Sequence, residues 1–378
     1  GLHTDEGRLG RVLVRVHGIS DRAMARDAFF AALGHLVGLR AGTAIPVIDG
    51  VPSASEDHLK ALGAAAASSG AVAMFHMVGV TPEAPTRDAA FGGRAPTHVI
   101  DLGPDDFRGA MRDLTSTGET ALGAVSIGTP HFSYDEFTQL RALLAGRHVH
   151  ERLEFFVSTG RDILARLDDE GWGAALRAQG VQVVTDTCTY LSPVLTGRPG
   201  AVMTNSAKWA WYAPNNLGYQ VAFGSLEECV ESAVRGEVWR DDAIWEASPA
   251  VSGVTLGVGT VASSAPPARE EDAVSNGAIA PSSAVVLPPE LSALASAEVL
   301  VLDEPLSFWG GVDEETGVII DTHHPQHGAS IAGKVLVMPG GRGSSSSSSV
   351  LAELIRGQVA PAAIVLRTTD PILALVAI

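Results

Sequence analysis

The segment Ala124–Glu136, AVSIGTPHFSYDE, contains in one stretch the pattern that decides the fold. Its apolar first part, Ala124–Ile127, predicts a short buried strand, and the polar sequence after it predicts a loop. Ser133 and, three residues later, Glu136 form the capping-box pattern that begins a helix. The segment therefore predicts a strand, a polar loop and a helix in that order, and the same order recurs on both sides of it.

The repeated pattern predicts an α/β domain with a mostly parallel sheet. Further strands are predicted at 71–80, 97–102, 153–157, 181–184, 201–203 and 221–223, of which 71–80 and 181–184 are predicted to be buried. Helices are predicted from the capping box Ser53–Glu56 to Ser69, from Pro104 and from the capping box Ser225–Glu228. Ligands of such sheets bind outside the carboxyl ends of the strands, so we expect the polar loops to form a site at one edge.

A change of composition after Ala262 predicts a linker and a second unit. Residues 263–289 are rich in Ser, Pro, Ala and Glu, which is typical of an interdomain linker. Beyond it, strands are predicted at 297–302, 334–338 and 362–366, and a helix at 350–357. We therefore predict a large domain over 1–262, a linker over 263–289 and a small domain over 290–378.

Composition and charge exclude several classes of protein. The 378 residues contain 26 Lys and Arg against 43 Asp and Glu, a net charge of −17, which argues against a nucleic-acid surface. No apolar run has the length of a membrane span, and two cysteines cannot build a disulfide framework, so a cytoplasmic setting is expected. Because the chain begins at Gly1 in a charged segment and stops inside the apolar run Ile372–Ile378, we expect a fragment.

The segment Gly340–Ser349, GGRGSSSSSS, is the sharpest local feature. A serine run by itself is typical of a flexible linker. Here it joins a predicted strand to an amphipathic helix, glycines allow close approach of a ligand, and a helix N-terminus attracts anions. The Gly-Lys-Ser/Thr ending of a Walker A loop is absent. The segment therefore predicts a site for a carboxylate or a phosphate.

Two other segments supply candidate site residues. Cys188 follows a predicted strand and is either a small buried apolar residue or a metal or iron–sulfur ligand, whereas Cys229 lies in a predicted helix and is expected to be structural. The polar loop Thr204–Lys208 suits a small polar substrate, or is a turn satisfied by its own aromatic neighbours. Four histidines are candidate acid, base or orienting groups, although each alone is more often structural: His131, His323, His324 and His327.

Taken together, these strings resemble the aconitase X family, a divergent branch of the aconitase superfamily. The matching segments include 59–84, 128–133, 185–188, 203–218 (MTNSAKWAWYAPNNLG), 223–230, 303–311 and 333–349. The order of segments is similar to the single-chain bacterial type, in which the large catalytic region is fused through a linker to a small swivel domain. The resemblance thus implies that 1–262 is the C-terminal part of that catalytic region and that 290–378 is a truncated swivel domain.

The resemblance implies roles for particular residues. Ser344 would be the base that removes a proton, and Arg342, Gly343 and Ser345 would line the anion-binding turn. Cys188 would be a ligand of an iron–sulfur cluster, [2Fe–2S] in type, that acts as a Lewis acid. Substrate contacts are implied for Thr129, His131, Asn205, Ser206 and Lys208. Some relatives carry a cysteine at the positions of Thr129 and Ser158, and a region before Gly1 would supply a further cysteine.

The activity implied is that of a carbon–oxygen lyase acting on a small anionic hydroxy amino acid. The single-chain type is associated with dehydration of cis-3-hydroxy-L-proline to Δ1-pyrroline-2-carboxylate. The separate-subunit archaeal type is associated with mevalonate 5-phosphate dehydration, and the fused linker argues against it. A non-catalytic anion-binding module is the alternative outside the enzymes. No nucleic-acid or membrane partner is expected, and the full-length protein is expected to be a monomer.

Overall fold

The computed structural model describes residues 4–197, 199–245, 297–342 and 346–367, together with Asp370 and Leu373. The predicted linker 263–289 and the predicted site residues Gly343, Ser344 and Ser345 lie outside these ranges. The described chain forms three α/β units, each built on a parallel sheet. The prediction of an α/β protein with mostly parallel sheets is confirmed.

The N-terminal unit contains a four-stranded parallel sheet in the order β3-β2-β1-β4. Its strands are β1 (Val12–Val16), β2 (Pro46–Asp49), β3 (His76–Met77) and β4 (His98–Leu102). Its helices are α1 (Asp21–Met24), α2 (Asp27–Ala41), α3 (Glu56–Ser69), α4 (Arg87–Phe91) and α5 (Pro104–Asp113). Helix α2 is buried on most of its surface, and Gly34 allows its contact with α3, because a Cβ there would lie 2.2 Å from the Leu62 carbonyl oxygen.

The central unit contains a five-stranded parallel sheet in the order β7-β6-β5-β8-β9. Its strands are β5 (Leu122–Phe132), β6 (Glu154–Thr159), β7 (Val181–Thr185), β8 (Ala201–Thr204) and β9 (Val221–Phe223). Its helices are α6 (Tyr134–Leu144), α7 (Arg161–Asp169), α8 (Trp172–Ala178), α9 (Ala207–Leu217) and α10 (Leu226–Arg235). Apolar side chains of α2, α3 and α9 share one core cluster, so the N-terminal and central units are packed together.

The C-terminal unit contains a three-stranded parallel sheet in the order β10-β11-β12. Its strands are β10 (Val299–Val301), β11 (Val335–Met338) and β12 (Ala363–Leu366), and helix α11 spans Ser347–Arg356. Its own core, which includes Phe308, Leu336 and Leu354, is fully buried. Across the described ranges, no helix is both long and apolar enough to cross a membrane.

Several local predictions need correction. The segment before the linker forms two sheets where one was predicted. The strand predicted at 71–80 is reduced to His76–Met77, because it lies at the edge of its sheet and Gly79 turns the chain at φ 74°. The predicted loop after Ile127 continues as strand β5 to Phe132. Helix α3 is capped by Ser55, not by Ser53, since the Ser55 hydroxyl accepts from the N–H of His58.

Candidate active site

The candidate site lies at the carboxyl ends of β5 and β8, which are neighbours in the middle of the central sheet. Ser206 connects the two ends, because its hydroxyl donates a hydrogen bond to the carbonyl oxygen of Thr129. The same hydroxyl accepts from the N–H of Trp209 at 3.0 Å and so caps helix α9. Both hydrogen bonds are internal to the protein, and the predicted substrate contact of Ser206 stays a prediction.

A small pocket opens at this edge. Its walls come from the N-terminal and the central unit. The polar lining consists of Lys60, Thr129, Glu136, Asn205, Ser206 and Lys208. Four of the predicted substrate-binding residues are thus brought together, and two charged residues that were not predicted, Lys60 and Glu136, join them.

Thr129 offers an unused hydroxyl in this pocket. The residue is 8% exposed, and its Oγ1 atom has no hydrogen-bond partner among the described residues. A buried hydroxyl without a partner is costly, so a ligand that bonds to it recovers that free energy. The Thr129 hydroxyl is thus a buried polar group that the described residues leave unsatisfied, and its predicted substrate contact stays a prediction.

Lys208 provides positive charge beside Thr129. The residue is half-buried in the first turn of α9, and within the described part of the chain no carboxylate pairs with its ammonium group. The N–H groups of the first helical turn point toward the same end and favour negative charge. An uncompensated ammonium, a helix N-terminus and an unused hydroxyl together suit a carboxylate.

Asn205 has a partner inside the protein. Its Nδ2 donates to Oδ2 of Asp27 at 2.9 Å, and the N–H of Leu226 donates to the same carboxylate at 3.1 Å. Burial raises the pKa of Asp27 despite these hydrogen bonds. The amide donor of Asn205 therefore bonds to the carboxyl group of Asp27 inside the protein, and the predicted substrate contact of Asn205 stays a prediction.

Lys60 and Glu136 form a charged cluster with Asp57 in the wall of the pocket. The Lys60 Nζ donates to Oε2 of Glu136 at 2.6 Å, to Oδ1 of Asp57 at 2.8 Å and to the carbonyl oxygen of His131 at 2.9 Å. Burial raises the pKa of Glu136 to about 7, although Lys60 opposes the shift. The sequence signal for this cluster was Lys60 itself, a charge within the Ala-rich helix α3.

His131 lies at the carboxyl end of β5, and Cys188 lies in the loop after β7, with β6 between the two strands. Nε2 of His131 is 3.0 Å from the carbonyl oxygen of Thr187, which tethers the end of β5 to the loop after β7. Cys188 is half-buried in that loop, and a hydrogen bond of 2.8 Å between the hydroxyls of Thr187 and Ser192 holds the loop across it. His131 therefore positions the Cys188 loop.

The side chains around Cys188 do not match the ligands that an iron–sulfur cluster needs. Such clusters take several thiolates, with histidine in some centres. Cys229 is fully buried inside α10 and packs in the core of the central unit. Thr129 and Ser158 supply only hydroxyls, and no group of three or more His, Cys, Asp or Glu in the described ranges could hold a metal. These residues therefore do not provide a ligand set for a [2Fe–2S] cluster, and no step below passes through one.

Arg342 lies away from this pocket, in a cleft between the N-terminal and C-terminal units. The cleft is also lined by Trp211 and His323. The guanidinium of Arg342 forms an ion pair with Asp321, and the two side chains are 7% and 6% exposed. Burial alone would raise the pKa of Asp321, but hydrogen bonds from His323 and the charge of Arg342 lower it to about 2. The predicted anion-binding charge of Arg342 is thus neutralised within the protein.

The remaining histidines of the C-terminal unit have separate surroundings. His324 is buried, with Nε2 3.3 Å from the carbonyl oxygen of Glu304. The ring of His323 stacks on Trp211, and His327 is exposed. The three histidines therefore do not converge on one site.

Comparison with known families agrees with this architecture. Family models for three aconitase X domains match the chain: the second domain at residues 10–112, the third domain at 122–235 and the swivel domain at 291–378. The chain therefore belongs to the aconitase X family.

Particular relatives refine this assignment. The cis-3-hydroxy-L-proline dehydratase of Pseudomonas aeruginosa is 46% identical over 240 residues, which cover 62% of this chain and 41% of that protein. The phosphomevalonate dehydratase large subunit of Methanosarcina mazei is 31% identical over 63% of this chain and 55% of its own length. The small subunit from Methanothermobacter thermautotrophicus is 54% identical over 20% of this chain and 58% of its own length.

A solved structure shares the fold. The holo-form of Thermococcus kodakaraensis aconitase X superposes with a TM-score of 0.53 and 25% identity, over 62% of this chain and 57% of that one. The matched part of the present chain spans about two fifths of the length of the cis-3-hydroxy-L-proline dehydratases.

Proposed function

We propose that this chain is the part of a hydro-lyase that binds cis-3-hydroxy-L-proline and converts it to Δ1-pyrroline-2-carboxylate. The observation that carries the proposal is the ammonium of Lys208, unpaired among the described side chains, beside the unused hydroxyl of Thr129 at the N-terminus of α9. This arrangement suits the carboxylate of an amino acid. The 46% identity to a cis-3-hydroxy-L-proline dehydratase supplies the reaction.

Each group would contribute in a defined way. Lys208 and the first turn of α9 bind the substrate carboxylate, which also stabilises the negative charge that develops when the neighbouring C–H bond breaks. Ser344, as the resemblance implies, takes the proton from C2. The electron pair of that bond forms the C2=C3 double bond, and the 3-hydroxyl leaves as water. The resulting enamine then moves a proton from nitrogen to C3 and becomes the imine.

A second candidate is the dehydration of mevalonate 5-phosphate. It is favoured by 54% identity, over 20% of this chain, to an archaeal phosphomevalonate dehydratase small subunit. The identity to the hydroxyproline enzyme, however, is 46% over 62% of this chain, against 31% over 63% for the phosphomevalonate large subunit. The pocket also contains no arginine among its described lining residues, whereas phosphate groups are often bound by arginine. We therefore favour the hydroxy amino acid.

The test is to assay the full-length holoenzyme with both compounds and to follow product formation by NMR. We expect turnover of cis-3-hydroxy-L-proline. Lys208→Met should raise KM for it strongly, whereas the control Lys334→Met, which removes a surface ion pair with Glu298, should not. Ser344→Ala should lower kcat by about 10²–10⁴-fold, the scale of a lost proton-transfer group. Turnover of mevalonate 5-phosphate alone would support the second candidate, and binding without any turnover would support a non-catalytic anion-binding module.

A further inference from the structure

We propose that Glu136 is a catalytic residue of this pocket, which gives its proton to the 3-hydroxyl as that group leaves, and that Lys60 and Asp57 position it for this step. The inference rests on the proposed dehydration. It adds the group that turns the leaving hydroxide into water.

The carboxyl group of Glu136 is held in the wall of the pocket. Glu136 lies in the first turn of α6, its side chain is 16% exposed, and it lines the same pocket as Thr129 and Lys208. Its Oε2 atom accepts from the N–H of Ser133 at 2.8 Å and from Lys60 at 2.6 Å. Two donors from different units thus fix the carboxyl group in the wall of the candidate substrate site, as proton transfer requires.

The cluster is not balanced in charge. One ammonium, that of Lys60, is shared by the carboxyl groups of Glu136 and Asp57. Ser133 gives each carboxyl group one further donor, its hydroxyl to Asp57 at 2.7 Å and its N–H to Glu136 at 2.8 Å. With both carboxyl groups ionised the partly buried cluster would be anionic, which favours a proton on one of them.

The charged surroundings of Glu136 agree with this assignment. Lys60 and Asp57 face it from α3, Lys208 lies in the wall formed by α9, and His131 contributes only its carbonyl oxygen to Lys60. For Asp57, burial is outweighed by the hydrogen bonds of Lys60 and Ser133, and its pKa is lowered. For Glu136, burial dominates and raises the pKa to about 7. An acid with a pKa near neutrality both donates a proton and regains one from solvent.

Another capping box of the same fold, at Glu228, has different partners. Glu228 caps α10 through the N–H of Ser225 at 2.7 Å, and its second oxygen accepts from the N–H of Asp241 at 2.9 Å. Main-chain donors therefore suffice for such a glutamate. Glu136 instead has an ammonium partner from another unit and a place in the pocket, which capping a helix does not require.

The proposed step balances. The base takes the hydrogen from C2 as a proton, and the electron pair of that bond forms C2=C3. The C3–O bond breaks with its electron pair, and the oxygen takes the proton of Glu136, so that water leaves. The Glu136 carboxylate then regains a proton from solvent. No oxidant or reductant takes part.

The experiment compares two leaving groups in the full-length holoenzyme. Chloride leaves without a proton, so cis-3-chloro-L-proline does not need the acid. Glu136→Gln should lower kcat for cis-3-hydroxy-L-proline by about 10²–10⁴-fold while the rate of chloride elimination stays close to wild type. Glu136→Asp, which keeps a proton donor, should restore part of the loss. The control Asp135→Asn changes the exposed neighbouring carboxylate and should affect neither substrate.

The outcomes separate the inference from the function beneath it. Equal loss on both substrates would mean that Glu136 only supports the fold, and no loss on either would mean that another group protonates the hydroxyl; both overturn the inference and leave the dehydratase in place. If the wild type eliminates neither water nor chloride from the proline ring, the proposed function itself fails. Calorimetric binding of L-proline to each variant checks that the pocket is intact.

Discussion

The imidazole of His323 stacks on the indole of Trp211, with 4.3 Å between the ring centroids and 20° between the planes. Trp211 belongs to α9 of the central unit and His323 to the C-terminal unit, so the stack crosses the junction between them. A second aromatic contact, between Tyr190 and Trp309 at 5.8 Å, crosses the same junction beside the Cys188 loop. The C-terminal unit therefore docks on the elements that carry the candidate site.

Replacing His323 with Ala should loosen this docking. Aromatic pairs of this kind contribute about 0.5–1.5 kcal/mol beyond the area they bury. We expect faster amide hydrogen exchange in α9 and in the loop around His323, with the global unfolding midpoint little changed. His327→Ala, at an exposed histidine four residues further on, is the control. Unchanged exchange in α9 would show that the stack does not hold the units together.

Replacing Asp321 with Asn should destabilise the C-terminal unit. The change removes the buried carboxylate partner of Arg342 and leaves only the longer contact with Glu304 at 3.9 Å; breaking a buried ion pair typically costs about 3–5 kcal/mol. Denaturant unfolding measures the loss, and Asp303→Asn at an exposed carboxylate is the control.

The same pair predicts the stability of this unit in acid. The pKa of Asp321 is lowered from 3.8 to about 2, so its stabilising contribution is fully present above pH 3.8 and is lost as the pH falls toward 2. Wild type should lose stability over that interval, and Asp321→Asn should lack this component. Parallel acid-unfolding curves for the two proteins would contradict the assignment.

Replacing Asn205 with Ala should lower the stability of the folded chain. Asp27 would lose its side-chain donor and keep the N–H of Leu226, so the loss is that of one hydrogen bond, about 0.5–1.5 kcal/mol. Urea unfolding is the measurement, with Asn215→Ala near the junction with the C-terminal unit as the control. A variant with wild-type stability but lost L-proline binding would instead support the predicted substrate contact of Asn205.

Replacing Glu136 with Gln should change how stability depends on pH. Because the pKa of Glu136 is raised from 4.5 to about 7 in the folded protein, its contribution is fully present below pH 4.5 and is lost as the pH rises through 7. The variant should lack this decline, so the stability difference between the two proteins should shift in favour of the variant over that interval. Denaturant unfolding at a series of pH values measures it, and an identical decline in both proteins would place the titration elsewhere.

The features that the sequence predicted well are local ones. The capping boxes at Ser133 and Ser225 are confirmed, because each depends on residues only three positions apart. The strands of the central sheet are also confirmed, and β5, β6, β8 and β9 are buried as their apolar runs indicate, whereas β7 at the sheet edge is mostly half-buried. The prediction of a strand at 71–80 is mostly wrong. Its apolar residues indicate burial, but they do not reveal the position at the edge of the sheet, which limits strand pairing.

The features that the sequence could not predict depend on distant partners. Asn205 lies in a polar loop, where an amide side chain is typical of a ligand contact, but its partner Asp27 lies 178 positions away. Lys60 and Glu136 are 76 positions apart and belong to different units, so the sequence around one residue does not reveal its contact with the other. Pairings of this kind become visible only when packing of α3 against the central unit is known.

A single oxygen atom, Oε2 of Glu136, accepts a hydrogen bond from the N–H of Ser133 in the capping box of α6 and another from the ammonium of Lys60. This atom matters for directed evolution toward a more stable variant, since substitutions that strengthen the start of the helix also change the acidity of the carboxyl group. Stability and turnover are therefore coupled at this position. A selection for one of them without an assay of the other will lose the other.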